Sequence, residues 1–166
     1  MNIGEKTLAI NELPYVIAEI GVNHDGSRHA AERLIDAAAA AGADAVKFQF
    51  FDADHLLSRA ADAAVYQKQR GENDPGAMLR RLQLSIDDLC DLRRIAQERD
   101  VHFLVSVFSS ELVDEAELLD CEGYKIASPD LINRPLLTDL MKSSRPLIIS
   151  TGAADETEIT ETIRWL

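Results

Sequence analysis

Short apolar runs that alternate with helix-like stretches constrain the fold of this chain more than any other feature of its sequence. The runs are rich in Val, Ile and Phe and nearly continuous in apolar residues, which is typical of strands covered on both faces. Strand and helix patterns alternate five times, and this alternation predicts an α/β fold with a parallel sheet. The five predicted strands are Tyr15–Ile20, Asp44–Phe51, Val101–Phe108, Gly123–Ala127 and Pro146–Ser150.

Capping residues mark the ends of the helices between these strands. Ser27 precedes an Ala-rich stretch and Gly42 follows it, at positions where a helix begins and ends. Ser85 and Asn133 are further helix starts, the second strengthened by a proline in the first helical turn. The predicted helices are Arg28–Ala41, Ile86–Arg99, Glu111–Leu119, Leu136–Lys142 and a last one that begins after Asp155 or Thr157 and reaches Leu166.

Two segments fall outside this repeat. Residues 3–13 have the pattern of a small β-hairpin ahead of the first parallel strand. Residues 52–84 form a long polar connection, which is either an active-site loop or lid or a mobile, solvated insertion.

Charge and composition exclude several classes of protein. The 17 basic and 29 acidic residues give a formal net charge of −12, which argues against nucleic acid or an anionic membrane as a partner. No apolar run approaches the length of a membrane span, and the N-terminus lacks a signal-peptide pattern. Cys90 and Cys121 have neither metal-ligand nor redox spacing, so we expect two reduced thiols in a cytoplasmic protein.

The candidate functional residues lie where the predicted strands end, because ligands of parallel α/β folds bind at the carboxyl ends of the strands. Lys47 and Lys125 interrupt apolar strands, and a buried ammonium needs an anionic partner. That partner is either internal, with Glu19 and Asp130 as the candidates, or an external anion such as phosphate or carboxylate. Further polar groups at the same strand ends are Asn23, His24, Gln49, Ser128, Ser150 and the backbone N–H groups around Gly152.

The spacing of the other reactive residues indicates little further chemistry. No two of His24, His29, His55 and His102 have the spacing of metal ligands on one helix. No serine has an evident histidine partner, which argues against nucleophilic serine catalysis.

Four motifs in order along the chain resemble the sialic acid synthase family, the N-acetylneuraminate synthases and their legionaminic and pseudaminic acid relatives. The motifs are IAEIGVNHDGS, AGADAVKFQFF, YKIASPDL and LIISTGAA, and the likeness runs from about Tyr15 to Ile163. The resemblance implies a TIM-barrel fold, usually followed by a small antifreeze-like domain. It also implies condensation of phosphoenolpyruvate with an N-acetylhexosamine such as N-acetylmannosamine, with a divalent metal (Mn or Mg) as cofactor.

The resemblance also implies a role for each candidate residue. Glu19 matches the essential acidic residue of the first motif, and Asp130 would be a second carboxylate near the sugar or the attacking water. Gln49 matches a substrate contact, with Asn23 and His24 beside Glu19. The positions that match the phosphoenolpyruvate site are Lys47, Lys125, Ser128, Ser150 and Gly152.

The chain departs from the family pattern at three points. The usual Ser-Thr-Pro-Phe motif reads Val105-Ser106-Val107-Phe108, and Phe50 replaces the usual Thr after Gln49. The family's two metal-binding histidines and its Asn-x-Tyr-Pro motif belong to the later part of the barrel and have no counterpart here.

Length therefore sets the expected architecture. A complete (β/α)8 barrel needs about 250 residues, and 166 residues suffice for a single partial TIM-barrel domain, residues 1–166, of about five β/α units with an N-terminal β-hairpin. The chain is then a fragment of a longer enzyme, a partner of a second copy or a completing polypeptide, or an open twisted sheet; a barrel portion with its strand order kept is favoured. We expect this isolated chain not to be a competent synthase.

Two alternatives to a synthase remain open. One is a non-catalytic, degenerate homologue that binds an anion or only self-associates. The other is an aldolase in which Lys125 or Lys47 forms a Schiff base.

Overall fold

Five parallel strands form one sheet in a computed structural model of the chain, which describes residues 1–56 and 75–166. The strands pair in the order in which they follow one another in the sequence, so every connection between neighbours is a crossover. A separate antiparallel hairpin, β1–β2, precedes them. All five predicted parallel strands are confirmed, and the bounds are β1 Asn2–Ile3, β2 Lys6–Thr7, β3 Ile17–Gly21, β4 Ala45–Phe50, β5 His102–Val107, β6 Gly123–Ile126 and β7 Leu147–Ile149.

The predicted caps start the helices. Ser27, Ser85 and Asn133 each accept a hydrogen bond from a backbone N–H in the first helical turn, and Asp155 forms a capping box with Glu158. Within the described ranges, no helix is long and apolar enough to cross a membrane. The helices are α1 Arg28–Ala40, α2 Ala53–Leu56, α3 Pro75–Leu82, α4 Ile86–Glu98, α5 Val113–Ala116, α6 Arg134–Met141 and α7 Glu156–Trp165, and the 3-10 turns are Ser110–Leu112, Glu117–Leu119 and Ser128–Ile132.

The segment predicted as one helix over Glu111–Leu119 is shorter than expected. Only α5 is α-helical there, between two 3-10 turns. Asp120 adopts a left-handed φ of 46°, which ends the segment. The side chain of Glu117 accepts a hydrogen bond from the Tyr124 hydroxyl of β6, which ties this short element to the sheet.

The two faces of the sheet have different chemistry. On one face a continuous apolar core joins Phe48 and Phe103 of the sheet to Ile35 of α1 and Leu92 of α4. The opposite face, called the inner face below, has a small apolar cluster of Ala45 and Leu104 near its amino-terminal end, and polar side chains beyond it. Sequential parallel strands with their helices packed on one face are a sector of a TIM barrel, which confirms the predicted fold class.

The N-terminal hairpin covers the amino-terminal end of the inner face. It is smaller than predicted, with two residues in each strand, but Ile3 is buried against Ala45 and Leu104. A Cβ on Gly4 would lie 2.7 Å from Nε2 of His102, so the turn sits directly on that ring. The hairpin thus leaves the carboxyl end of the sheet as the place for a ligand.

The long connection after β4 contains two helices at its ends. Part of the predicted lid, residues 57–74, lies outside the described residues. The described parts of the connection contain α2 and α3. Helix α3 packs against the turn between β3 and α1, where Asp25 forms an ion pair with Arg81. A Cβ on Gly26 would lie 1.9 Å from the carbonyl oxygen of Arg81, so only glycine permits this approach.

Gly26→Ala is expected to destabilise the protein far more than Gly42→Ala. Both glycines are left-handed, with φ of 74° and 79°, so alanine is strained at either position by about 1 kcal/mol. At Gly26 the added methyl also overlaps the Arg81 carbonyl, whereas at Gly42 no described atom lies within 4 Å. We expect a loss of about 3 kcal/mol for Gly26→Ala in urea unfolding; equal losses for the two variants would contradict the observed docking of α3.

Candidate active site

Charged and polar side chains from four neighbouring strands share the inner face of the sheet. Glu19 of β3 is in register with Lys47 of β4, and Ser106 of β5 is in register with both Gln49 and Lys125. Because side chains alternate between the faces of a strand, Lys47 and Gln49 point to the same side. These five residues therefore form one polar surface toward the carboxyl ends of the strands.

Lys47 is the most buried member of this surface. The residue is 5% exposed, and its Nζ lies 2.8 Å from Oε2 of Glu19 and donates a hydrogen bond to Oγ of Ser106 at 3.2 Å. The Glu19 side chain is 54% exposed, so the pair has one end in the sheet and the other at the solvent. Of the two internal pairings that the sequence left open, this one is present.

Lys125 has a different environment. Burial lowers the pKa of its ammonium, and the nearby ammonium of Lys47 lowers it further, while the carboxylates of Glu19 and Asp130 act in the opposite direction. Lys47 and Lys125 are thus close enough for their charges to interact on the same side of the sheet. No described carboxylate lies within ion-pair distance of Lys125, which leaves this cation poorly compensated.

The alternative internal pair, Lys125 with Asp130, is not formed. Asp130 lies in the 3-10 turn after β6, where its Oδ1 accepts a hydrogen bond of 3.5 Å from Nδ2 of Asn133. Burial raises the pKa of the Asp130 carboxyl, against the lowering effects of Asn133 and Lys125. Of the internal pairings that the sequence left open, Lys125 with Asp130 is therefore absent, because the turn directs the carboxyl toward Asn133.

The remaining polar groups at β6 and β7 lie at the ends of those strands. Ser128 begins the 3-10 turn after β6, and Ser150 directly follows β7, its N–H donating to the carbonyl of Ile126. Gly152 is exposed, and a Cβ built on it would meet no described atom within 4 Å. The strand order places Ser128 and Ser150 at adjacent strand ends beside Lys125.

Residues of the first two motifs lie on both sides of the sheet. Gln49 joins the inner surface, since its Nε2 lies 3.5 Å from the Cβ position of Gly21, as Oε1 of Glu19 does at 2.9 Å. Asn23 is exposed in the turn after β3. His24 is not brought to this group: it is buried and its ring stacks on Phe48 of the helix-side core. The expectation that the His24 side chain points to the mouth of the site is wrong, because this stack and a hydrogen bond from the Gly26 N–H hold the ring.

Ser106 is the site residue that sequence reasoning did not select. It is 2% exposed and is the described hydrogen-bond acceptor that Lys47 uses besides Glu19. The available signal was a hydroxyl within an apolar strand, at the position in register with Lys125. In the sequence, Ser106 lies in the segment that replaces the usual Ser-Thr-Pro-Phe motif, and it was noted there only as part of that departure.

The residues that the structure describes do not fit a divalent metal. They contain no group of three or more His, Cys, Asp or Glu side chains that could hold an ion. The described donors at the strand ends are two ammonium groups, hydroxyls and backbone N–H groups, which suit an anion rather than a cation.

Glu19→Gln is expected to reduce the free energy of unfolding by about 1 kcal/mol, because it leaves the buried Lys47 ammonium without its counter-charge while solvent screens part of the loss. In a Lys47→Met background, the same change should cost close to nothing. Glu98→Gln is the matched control, since the Glu98 side chain is 50% exposed and pairs with Arg94 on the surface of α4. Urea unfolding of the four-variant cycle measures the coupling; an equal cost of Glu19→Gln in both backgrounds would refute the pairing.

Two curated relatives are similar to this chain over most of its length. The N,N'-diacetyllegionaminic acid synthase of Legionella pneumophila is 37% identical over 147 residues, which cover 87% of this chain and 41% of the relative. The spore coat polysaccharide biosynthesis protein SpsE of Bacillus subtilis is 34% identical over 165 residues, covering 99% of this chain and 44% of the relative. The chain thus spans less than half the length of these curated relatives.

A solved structure and a family model agree with these relatives. The N-acetylneuraminic acid (sialic acid) synthetase of Leptospira borgpetersenii superposes with a TM-score of 0.87 at 25% identity, covering 99% of this chain and 54% of that one. The model of the NeuB family matches residues 34–166, which include β4 to β7 and most of the polar surface. On these matches, the chain belongs to the NeuB family.

Proposed function

We propose that this chain forms the phosphoenolpyruvate-binding part of a synthase that condenses phosphoenolpyruvate with an N-acetylhexosamine, such as N-acetylmannosamine, to give a sialic-acid-type nonulosonate. The observation that carries the proposal is the poorly compensated Lys125 ammonium, close to that of Lys47, at the strand end that Ser128 follows and beside the strand that Ser150 follows. The relatives named as synthases of such acids support the reaction class.

Phosphoenolpyruvate matches the charge of this surface. Its carboxylate and phosphate are both anionic near neutral pH, and the two lysines, with the hydroxyls at the neighbouring strand ends, would receive them. A bound anion would compensate Lys125, whose charged form is disfavoured in the unliganded chain. The Leptospira relative was crystallised with citrate, another small anion rich in carboxylates.

Lys47 is prepared differently for the same ligand. Glu19 and Ser106 hold its ammonium in one position, so little side-chain freedom remains to be lost when an anion binds. Glu19 also keeps the local charge balanced before substrate arrives. In this proposal Lys47 orients the ligand and Lys125 supplies most of the unmatched positive charge.

The reaction would join C3 of phosphoenolpyruvate to the aldehyde carbon of the amino sugar. The aldehyde oxygen would take up a proton and become a hydroxyl, and water would add at C2, where positive charge develops, with one of its protons passing to a carboxylate. Cleavage of the bond from C2 to the phosphate oxygen, with loss of the remaining proton of the added water, would then leave a ketone at C2 and release phosphate. Glu19 and Asp130 are the carboxylates available for this, and the pKa of Asp130, raised by burial, makes it a stronger base than an ordinary aspartate. Gln49, beside Glu19, and Asn23, in the exposed turn after β3, would contact the sugar.

The complete reaction would draw on groups outside this surface. The divalent metal implied for the family has no fitting set among the described side chains, so we propose that its ligands come from a further part of a longer polypeptide or from a second chain. A homo-oligomer or a completing polypeptide is accordingly the proposed partner. The role assigned to this segment is binding and orienting phosphoenolpyruvate.

Calorimetric titration of phosphoenolpyruvate into the chain tests this role. Lys125→Met should weaken binding at least tenfold, roughly 1.4 kcal/mol, because it removes the uncompensated cation. Lys142→Met is the control: Lys142 is an exposed lysine directly after α6, paired with Asp139, and its loss should leave the affinity unchanged. Equal affinities for wild type and Lys125→Met would overturn the proposal.

Titration with inorganic phosphate and borohydride trapping with pyruvate test the two alternatives. An anion-binding homologue without synthase function would bind inorganic phosphate as tightly as phosphoenolpyruvate. The lowered pKa of Lys125 also suits a Schiff-base lysine, and in that case borohydride with pyruvate would give a stable adduct on Lys125 while phosphoenolpyruvate would not bind.

The pH dependence of lysine acetylation provides a second test. Because its pKa is lowered, Lys125 loses its proton at a lower pH than an ordinary lysine, whereas the ion pair with Asp139 raises the pKa of Lys142. Acetylation followed by mass spectrometry should therefore reach its half-maximal rate at a lower pH for Lys125 than for Lys142. Phosphoenolpyruvate should shift the Lys125 midpoint upward, because the bound anion favours the ammonium form; a midpoint that ignores the ligand would contradict direct contact.

A further inference from the structure

We propose that His24 is a positioning residue whose imidazole fastens the turn after β3 to the sheet core and thereby fixes the Glu19 carboxylate beside Lys47. At 1% exposure, His24 is too buried to touch a ligand on the inner face. Its place in the first motif nevertheless links it to the site through Gly21. The catalytic meaning of this role rests on the proposed function, but the contacts themselves do not.

The hydrogen bonds of His24 define which nitrogen carries the proton. Its Nδ1 accepts a hydrogen bond of 3.1 Å from the N–H of Gly26, so Nδ1 must be unprotonated. The ring proton is then on Nε2. Burial lowers the pKa of His24, which favours this neutral ring, while a hydrogen-bond acceptor on the Gly21 backbone acts in the opposite direction. One imidazole thus binds the Gly26 N–H and interacts with the backbone of Gly21.

Aromatic stacking anchors the same ring to two strands. The ring of His24 stacks on Phe48 of β4, with centroids 6.1 Å apart and an interplanar angle of 21°. Phe48 in turn stacks on Phe103 of β5, at 4.9 Å and 14°. The turn is therefore held by the packed core rather than by its own backbone alone.

Gly21 transmits this position to the inner face. It has a left-handed φ of 50°, and the pairing of β3 with β4 shifts register between Glu19 and Gly21. A Cβ on Gly21 would lie only 2.9 Å from Oε1 of Glu19, so the carboxylate rests against the Gly21 backbone. The other oxygen of that carboxylate pairs with Lys47 at 2.8 Å. A displaced Gly21 would move Glu19 away from Lys47.

Three substitutions separate the functions of the ring. His24→Phe keeps a planar ring for the stack and removes both hydrogen bonds. His24→Asn places an acceptor near the position of Nδ1, and His24→Gln places a donor near that of Nε2. His29→Phe is the control, since the His29 side chain is 76% exposed on α1.

The first readout is the ring itself, followed by affinity. Long-range ¹H–¹⁵N NMR of wild type should show the His24 proton on Nε2 alone. His24→Phe should weaken phosphoenolpyruvate binding about fivefold. His24→Gln, which keeps a donor toward Gly21, should recover more of the loss than His24→Asn, while His29→Phe should change nothing. In a Glu19→Gln background, His24→Phe should have no further effect, because a positioning residue acts through Glu19.

Thermal unfolding of the same cycle makes the test independent of the ligand. The Tm loss of the double variant His24→Phe/Glu19→Gln should be smaller than the sum of the two single losses. If wild type fails to bind phosphoenolpyruvate, the proposed function fails, and the NMR and Tm results still decide the role of His24. A proton on Nδ1, or strictly additive losses in affinity and Tm, would overturn it.

Discussion

Burial of the Lys47 ammonium in the middle of a parallel sheet is the constraint on which the rest of the site depends. An ammonium taken out of water costs several kcal/mol unless charge and hydrogen bonds replace its hydration. Glu19 from β3 and Ser106 from β5 provide that replacement. One side chain on β4 therefore requires both neighbouring strands in the observed register, so the site is part of what aligns the sheet.

The fold could be predicted from the sequence to the extent that its signals are local. Apolar runs located every parallel strand, and Ser27, Ser85 and Asn133 located helix starts, because a strand's burial and a cap's hydrogen bond depend on nearby residues. The helix expected over Glu111–Leu119 was too long, since Glu117 turns toward Tyr124 of the next strand. That contact depends on how the short helix packs on the sheet, which the sequence pattern does not contain.

The site shows the same division. Glu19, Lys47 and Lys125 were predicted to lie together because the carboxyl ends of parallel strands meet at one edge, and the structure brings them there. The side to which a turn residue points follows no such periodicity, so His24 was assigned to the inner face although its ring belongs to the helix-side core. Ser106 carries no charge, and its role appears only once the fold brings its hydroxyl within 3.2 Å of the Lys47 ammonium. The roles of these residues in catalysis stay proposals.

The hairpin at the amino-terminal end of the sheet affects how a ligand reaches the inner face. Ile3 packs on Ala45 and Leu104, and the turn at Gly4 contacts His102, so the hairpin covers the amino-terminal end of the described inner face. In the proposed function, phosphoenolpyruvate would therefore reach this face from the side of the carboxyl strand ends. Under that proposal, a phosphate still bound to Lys125 would occupy the position that the next phosphoenolpyruvate needs, so its release would limit the rate of successive turnovers.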